Sequence, residues 1–285
     1  MSNDRITNVV NRLGDLPLLP RSTTEVLRIT GDPMCDVQDV MRAIEQDPAL
    51  AAKILQVSNS SYYGMRQFVG TLKLALVILG VREIRNIVTG VSVFDTLGKG
   101  GDAALINKLW EHSLLVAGIA GQLDTRLETG LPGEAFLAGL LHDIGKLALA
   151  RHEGSAYMEM ALAHGEELCG QEREIYGFTH ADVGAALGLH WHFPVPLIDA
   201  IRYHHPVGGA PLQDAGGSQL AAIVRIANLA AHDAHVTSRP ASLACADEEA
   251  WNVLGKTPRP VADAGRFELL SEIITGLGQL PTGAH

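Results

Sequence analysis

The chain has 285 residues, enough for one large domain or two moderate ones and for a sizeable core. Lysine and arginine number 22 against 32 aspartates and glutamates, a formal charge of −10, which argues against broad electrostatic binding to nucleic acid or to an anionic membrane surface. With 47% hydrophobic and 19% charged residues the composition is globular, and three scattered cysteines, Cys35, Cys169 and Cys245, exclude a disulfide framework and fit a reducing cytosol. The opening MSNDRITNVV lacks the pattern of a signal peptide. The longest apolar stretch, residues 74–81, is far short of the roughly 20 residues that span a bilayer. A cytoplasmic protein without membrane insertion is expected.

In chain order the pattern is helical throughout, without alternating β-branched runs or hairpin turns, so the expected fold class is all-α. Asp47-Pro48 supplies an N-cap and a first-turn proline for ALAAKILQV. Thr71 caps LKLALVIL, Gly80 closes it, and VREIRNIVTGVSVFDTL resumes the period. The glycine-rich joint at residues 97–102 divides the chain, giving an N-terminal helical subdomain, 1–99, and a second helical subdomain with a C-terminal extension, 100–285. In the second half, Pro132 is expected to open one helix running through GEAFLAGLLHDIGKLAL. Thr179 caps HADVGAALGLHW, and Pro196 opens LIDAIRYHH. The stretch 206–217 is too rich in glycine and proline to be helical, and Ser218 caps QLAAIVRIANLAAH. A last helix is expected near residues 267–277, with no assigned role.

The 12 histidines all follow residue 110. His142-Asp143, read as lying on one helix, diverge by about 100° and can still both reach a metal beside it. His112 lies on the helix before, and His180 begins a later one. His204 and His205 end another, and Asn228 lies on the next. Successive helices thus present His112, His142, Asp143, His180, His204 and His205 as metal ligands, the way bundles build such sites. An imidazole and carboxylate set suits one or two divalent ions: iron, manganese, magnesium or zinc. Two ions sharing a carboxylate would serve phosphate-ester hydrolysis, with Lys146 as a phosphate contact. The structural alternatives are ordinary ones. His142 can sit at a helix C-terminus, and His205 can simply end its helix before Pro206. His190 and His192 read as surface or capping residues, and His232 and His235 as members of a polar loop. His152 and His164 read as solvated. Residues 58–64 read as a helix end and turn, and Lys73, Arg82 and Arg85 as a solvated face.

The ordered set His112, His142-Asp143 and later polar ligands resembles the HD superfamily of metal-dependent phosphohydrolases. His204-His205 is similar to the HD-GYP branch, which hydrolyses cyclic di-GMP, but Pro206-Val207-Gly208-Gly209-Ala210-Pro211 replaces its glycine-tyrosine-proline element. Asn228 stands where that branch has an aspartate ligand. In the first half, LPLLP at 16–20, DPALAAKIL at 47–55, SNSSYYG at 58–64 and ALVILG at 75–80 resemble the HDOD domain, the HD-related output domain, over about residues 14–232. That resemblance implies a bacterial signal-transduction protein, generally without hydrolase activity, that works through signalling protein partners. The alternatives it leaves are a metal-holding sensor and a metal-dependent phosphohydrolase of a nucleotide or cyclic dinucleotide.

Overall fold

The computed structural model describes residues 17–32, 34–60, 63, 65, 67–131, 133–161, 165–205, 218–236 and 242–277. Among these residues all regular structure is helical, as the sequence predicts. They fall into two contact units, Leu18–Thr96 with residues 275–277, and Leu97–Ile274 with residue 17.

The smaller unit holds α1 (Arg21–Ile29), α2 (Val37–Glu45), α3 (Pro48–Ser58) and most of α4 (Leu72–Gly98). Its helix starts are built as the sequence predicts. The Asp47 carboxylate accepts from the Leu50 N–H at 3.1 Å with Pro48 leading the helix, and the Thr71 hydroxyl accepts from the Leu74 N–H at 3.1 Å. Gly80 interrupts α4 with φ 80° and ψ 164°, a conformation open in practice only to glycine. Val26, Val40, Ile44, Ile54, Ile84 and Ile87 close the core of this unit. Asn59 staples the end of α3 to the approaching chain. Its amide nitrogen donates to the Leu55 and Val69 carbonyls at 2.7 and 2.9 Å, and its oxygen accepts from the Val69 N–H at 2.8 Å. Tyr63 donates to Glu83 at 2.5 Å. The structural reading of this segment as a helix end and turn thus holds at Asn59, while Tyr62 and Gly64 lie outside the described residues.

The larger unit contains α5 (Ala103–Leu127), α6 (Glu134–Leu141), α7 (Ile144–Glu153), α8 (Ser155–Met160), α9 (Gly165–Tyr176), α10 (His180–His190), α11 (Val195–Arg202) and α12 (Ser218–Val236). Beyond them come α13 (Ser242–Ala246), α14 (Glu248–Leu254) and α15 (Asp263–Leu277). Helix α5 packs on α6 and α12, α10 packs on α7 and α11, and α11 packs on α12. The closest approaches need glycine. A Cβ on Gly139 would lie 2.7 Å from the Ala117 Cα, and one on Gly145 would lie 1.9 Å from the His180 carbonyl oxygen. The buried Arg225 of α12 pairs with Asp247 and Glu249, and Trp251 donates to the Ala244 carbonyl at 2.8 Å, which fastens the C-terminal helices. No helix among the described residues is long and apolar enough to cross a membrane.

Three local expectations are corrected. The helix expected to run through residues 133–149 is two helices, because Asp143, at φ −102° and ψ 12°, breaks it after His142. The break lets α7 start afresh with Gly145 seated against the backbone of α10. Helix α11 ends at Arg202, so His204 and His205 follow it in a bend rather than lying on it. Helix α12 continues to Val236, so His232 and His235 are helical, not in a loop. Pro132, His164 and the break at 206–217 lie outside the described residues.

Candidate metal centre

Asp143 is the hub, fully enclosed at the α6–α7 junction with 1% of its surface exposed. Four elements bring imidazoles to it. The Nε2 atoms of His180, at the head of α10, and of His204, after α11, lie 3.3 and 3.4 Å from Asp143 Oδ1. His180 Nε2 is also 3.3 Å from His204 Nε2 and 3.1 Å from His205 Nε2. On the other carboxylate oxygen, His142 Nε2 stands 3.3 Å from Oδ2, and His112 Nε2, from α5, 3.9 Å from it. Each sequence-predicted ligand thus reaches one cluster, although the distances on the Oδ2 side are more uneven.

The backbone and neighbouring side chains fix which nitrogen faces inward. His142 Nδ1 donates to the Gly139 carbonyl at 2.7 Å and His204 Nδ1 to the Ile201 carbonyl at 2.6 Å. His180 Nδ1 lies 2.8 Å from Glu172 Oε2 on α9, the same oxygen that accepts from the His180 backbone N–H at 2.9 Å. Tyr157 of α8 donates to Glu172 Oε1 at 2.6 Å. The capping box of Thr179 and Asp182 sets the first turn of α10 and so the place of His180. With Nδ1 occupied as donor, each of these rings turns the lone pair of Nε2 to the centre.

Lone pairs facing one another at 3.1–3.4 Å repel unless a cation lies between them. His142 Nε2 and Asp143 Oδ1 are buried without a hydrogen-bond partner. These orphaned atoms, together with the donor set, fit a divalent metal held by Asp143, His180, His204 and His205, whose ligand atoms lie within 4.8 Å of one another. A tetrahedral site with bonds of about 2.0–2.1 Å places its ligand atoms about 3.3–3.4 Å apart, close to the spacing found here. The carboxylate–histidine pair Glu172–His180 is the usual support for such a ligand.

The titration of the groups points the same way. Burial, followed by the field of His204 and His180, drives His205 well below the ordinary histidine range. Burial likewise takes His204 to about 4, and burial with His142 nearby lowers His112 strongly. These rings are neutral and ready to ligate at neutral pH. For His180, burial works downward, but the Glu172 carboxylate and Asp143 outweigh it and raise it. For Asp143, burial works upward, but His142 and Lys146 hold it well below the usual carboxylate range. Without metal, a proton on His180 Nε2 reconciles the facing lone pairs, and metal binding displaces it. Cys169, beside Glu172 and His180, is pushed up to about 12 by burial and by Glu172; as a thiol it is a poor ligand.

Lys146, on the first turn of α7, is 2% exposed and directs Nζ to Asp143 Oδ2 at 2.7 Å. Asn228 of α12 faces His112, whose Nε2 lies 3.1 Å from its Oδ1. His232 stacks on His112 with ring centres 4.7 Å apart. His152, His190 and His192 are exposed, as expected. The functional residues that the sequence reading misses are Glu172 and Tyr157. A signal for the first was present: Glu172 falls on the buried stripe of α9 with Leu168 and Cys169, an unusual place for an unpaired carboxylate.

The HDOD domain pattern matches residues 16–207. The chain belongs to the HDOD family. The HDOD match takes in His112, His142, Asp143, Lys146, Glu172, His180, His204 and His205, and it stops short of Asn228 and the C-terminal helices. An HDOD domain protein of unknown function from Geobacter sulfurreducens has the same fold, with a TM-score of 0.73, 23% identity, and 97% of this chain and 99% of that one covered. A protein from Shewanella amazonensis SB2B, named "Putative phosphohydrolase", is similar at a TM-score of 0.72 and 28% identity over 95% of both chains. An uncharacterized protein of Treponema pallidum (strain Nichols) is 28% identical over 214 residues, 72% of this HDOD chain. The chain spans 40% of the length of that curated relative.

Proposed function

We propose that this HDOD protein is a non-catalytic signal-transduction module that acts through protein partners, with a divalent metal at Asp143, His180, His204 and His205 fixing its larger unit. One observation carries the reading. These four ligands are between 0 and 7% exposed and together complete a four-coordinate set. Structural metal sites are closed in this way, whereas hydrolytic ones keep a position open for water. The metal, when bound, would cross-link three segments, the α6–α7 junction, the head of α10 and the bend after α11, and binding to the native state alone would add its free energy to folding. The residues of the chain do the rest. Glu172 and the Gly139 and Ile201 carbonyls orient the rings, and the apolar shell of α6, α10 and α11 excludes water. The resemblance to HDOD modules supports signalling through protein contacts, and the asparagine at 228 supports the absence of turnover.

A second reading, a metal-dependent phosphohydrolase of a nucleotide or cyclic dinucleotide, is favoured by one feature: both oxygens of Asp143 face imidazoles, the arrangement of a bridging carboxylate. Tag-free protein, with a His142→Ala, Asp143→Ala double variant beside it, separates the two readings by elemental analysis and a phosphoester turnover assay. The module reading expects bound metal in the wild type, metal lost in the variant, and no turnover above buffer in either. Specific turnover abolished by His142→Ala alone would overturn it.

A further inference from the structure

The first turns of α4 are apolar on both sides. At about 100° per residue, Leu72, Ala75 and Leu76 share one face, and all three are buried. The opposite face carries Lys73, Leu74, Val77 and Ile78. Val77 is 73% exposed and Ile78 41%, with the half-buried Leu74 between them. Phe68, 78% exposed, stands just before the helix with its ring beside Gly70, where a Cβ would lie 3.6 Å from it. A helix that is apolar all round is ordinarily enclosed all round, and here only one side is enclosed.

The surroundings of this face are cationic. Residues 48–94 hold five lysines and arginines against one carboxylate, Glu83, a net +4 in a chain of −10. Glu83 is turned to the Tyr63 hydroxyl, 2.5 Å away. Other cations of the same unit are paired: Arg28 with Glu25, Arg42 with Asp39 and Lys53 with Asp95. Lys73, Arg82 and Arg85 have no ion pair among the described residues, so an incoming carboxylate breaks no existing pair.

We propose that this face of α4, with Phe68, is the docking surface for an amphipathic helix of a partner protein, one whose apolar stripe is rimmed by aspartate and glutamate. The inference rests on the reading of the chain as a module that works through protein contacts. An α-helix offers no backbone edge to an incoming strand, so recognition falls to side chains, as when helix packs on helix. The partner's stripe covers Phe68, Val77 and Ile78, and its acids meet Lys73 and Arg82. A second copy docked face to face would set the same cations against each other. The chain's own opening segment has apolar residues at 6, 9, 10 and 13, but its Asp4 and Asp15 are balanced by Arg5 and Arg12, so it brings no acidic rim.

The test uses tag-free full-length protein and two stapled helical peptides labelled with fluorescein, with leucine along one face and alanine behind. One carries glutamate on both flanks of the leucine stripe and the other lysine. Fluorescence anisotropy is expected to show the glutamate peptide binding about tenfold or more tightly than the lysine peptide, a preference that shrinks as salt rises. Val77→Asp should weaken both by about tenfold or more, and Lys73→Glu with Arg82→Glu should reverse the preference, each at an unchanged melting temperature because these side chains are exposed. Equal binding of the two peptides, binding of neither, or a preference that survives the charge reversal would overturn the inference. So would a wild-type dimer in sedimentation that Val77→Asp dissolves, or glutamate-peptide binding that appears only once residues 1–14 are deleted, since the face would then have another occupant. None of these outcomes bears on phosphoester turnover, so the module reading and this inference fail by different measurements.

Discussion

Glu172→Gln isolates the support of the metal ligand His180 from the ligand itself. The wild-type carboxylate accepts three hydrogens: from His180 Nδ1, from the His180 backbone N–H and from the Tyr157 hydroxyl. An amide keeps one accepting oxygen but carries no charge, so His180 Nδ1 is left with a weaker acceptor and is freer to turn or change tautomer. Loss of such a carboxylate partner weakens metal affinity by about 10–100-fold. At metal 100-fold above the wild-type Kd, binding stabilises the native state by about 2.7 kcal/mol; with affinity about 30-fold weaker the figure falls to about 0.9 kcal/mol. The difference of about 2 kcal/mol corresponds to about 4–8 °C in melting temperature for a unit of this size. The assay is the melting temperature of each protein with zinc and with chelator, the metal-dependent rise being compared between them so that any change in the metal-free protein cancels. A rise in Glu172→Gln equal to that of the wild type would refute the role given to Glu172.

Three other outcomes follow from the same geometry. His204 titrates at about 4 in the native state, and His205 and His112 are also held well below 6.5; the unfolded chain therefore binds protons that the native one refuses. Metal-free stability should be full above pH 6.5 and fall as the pH drops toward 4, by about 3 kcal/mol from His204 alone, while the raised His180 works the other way. Urea midpoints in chelator that stay level between pH 7 and pH 5 would contradict this. Gly145→Ala should cost at least about 3 kcal/mol, because its Cβ meets the His180 carbonyl and the Gly184 backbone, whereas the one close contact of a Cβ on Gly184 is the Ile201 side chain, which can give way; equal melting temperatures for the two variants would be inconsistent with that difference. Asn59→Ala removes two hydrogen bonds to Val69 and one to the Leu55 carbonyl of α3 and should cost about 2 kcal/mol in a denaturant titration, without changing metal content.

The parts of this protein that were legible in its sequence are those set by local chemistry. Asp47-Pro48, Thr71, Gly80 and Thr179 announce helix starts and stops through groups a few residues away, and the structure places each as expected. The ligand set was legible because histidines are conspicuous and the helices bring them round in order. What was not legible came from packing across the chain. Nothing local in LLHDIGKL breaks the helix at Asp143; the break accompanies the seating of Gly145 on α10, some 40 residues later by sequence. The spacing of Glu172 from Leu168 and Cys169 could have put it on the buried stripe of α9, but only the packing of that helix shows that it meets His180. The pairing of Lys146 with Asp143, three residues apart, could have been read from the spacing once a helical turn was placed between them.

The enclosure of Asp143, His180 and His204 also fixes how fast a metal can come and go. With each of these ligands at most 1% exposed, an ion can neither enter nor leave while the larger unit stays shut. Exchange then waits on local opening, and the opening of packed helices is slow compared with diffusion. Once a chelator captures the ion faster than the helices close again, adding more of it no longer speeds release. Under that condition the dwell time of a bound ion would be the lifetime of the closed helices, and the protein would keep whichever metal it took up as its chain folded.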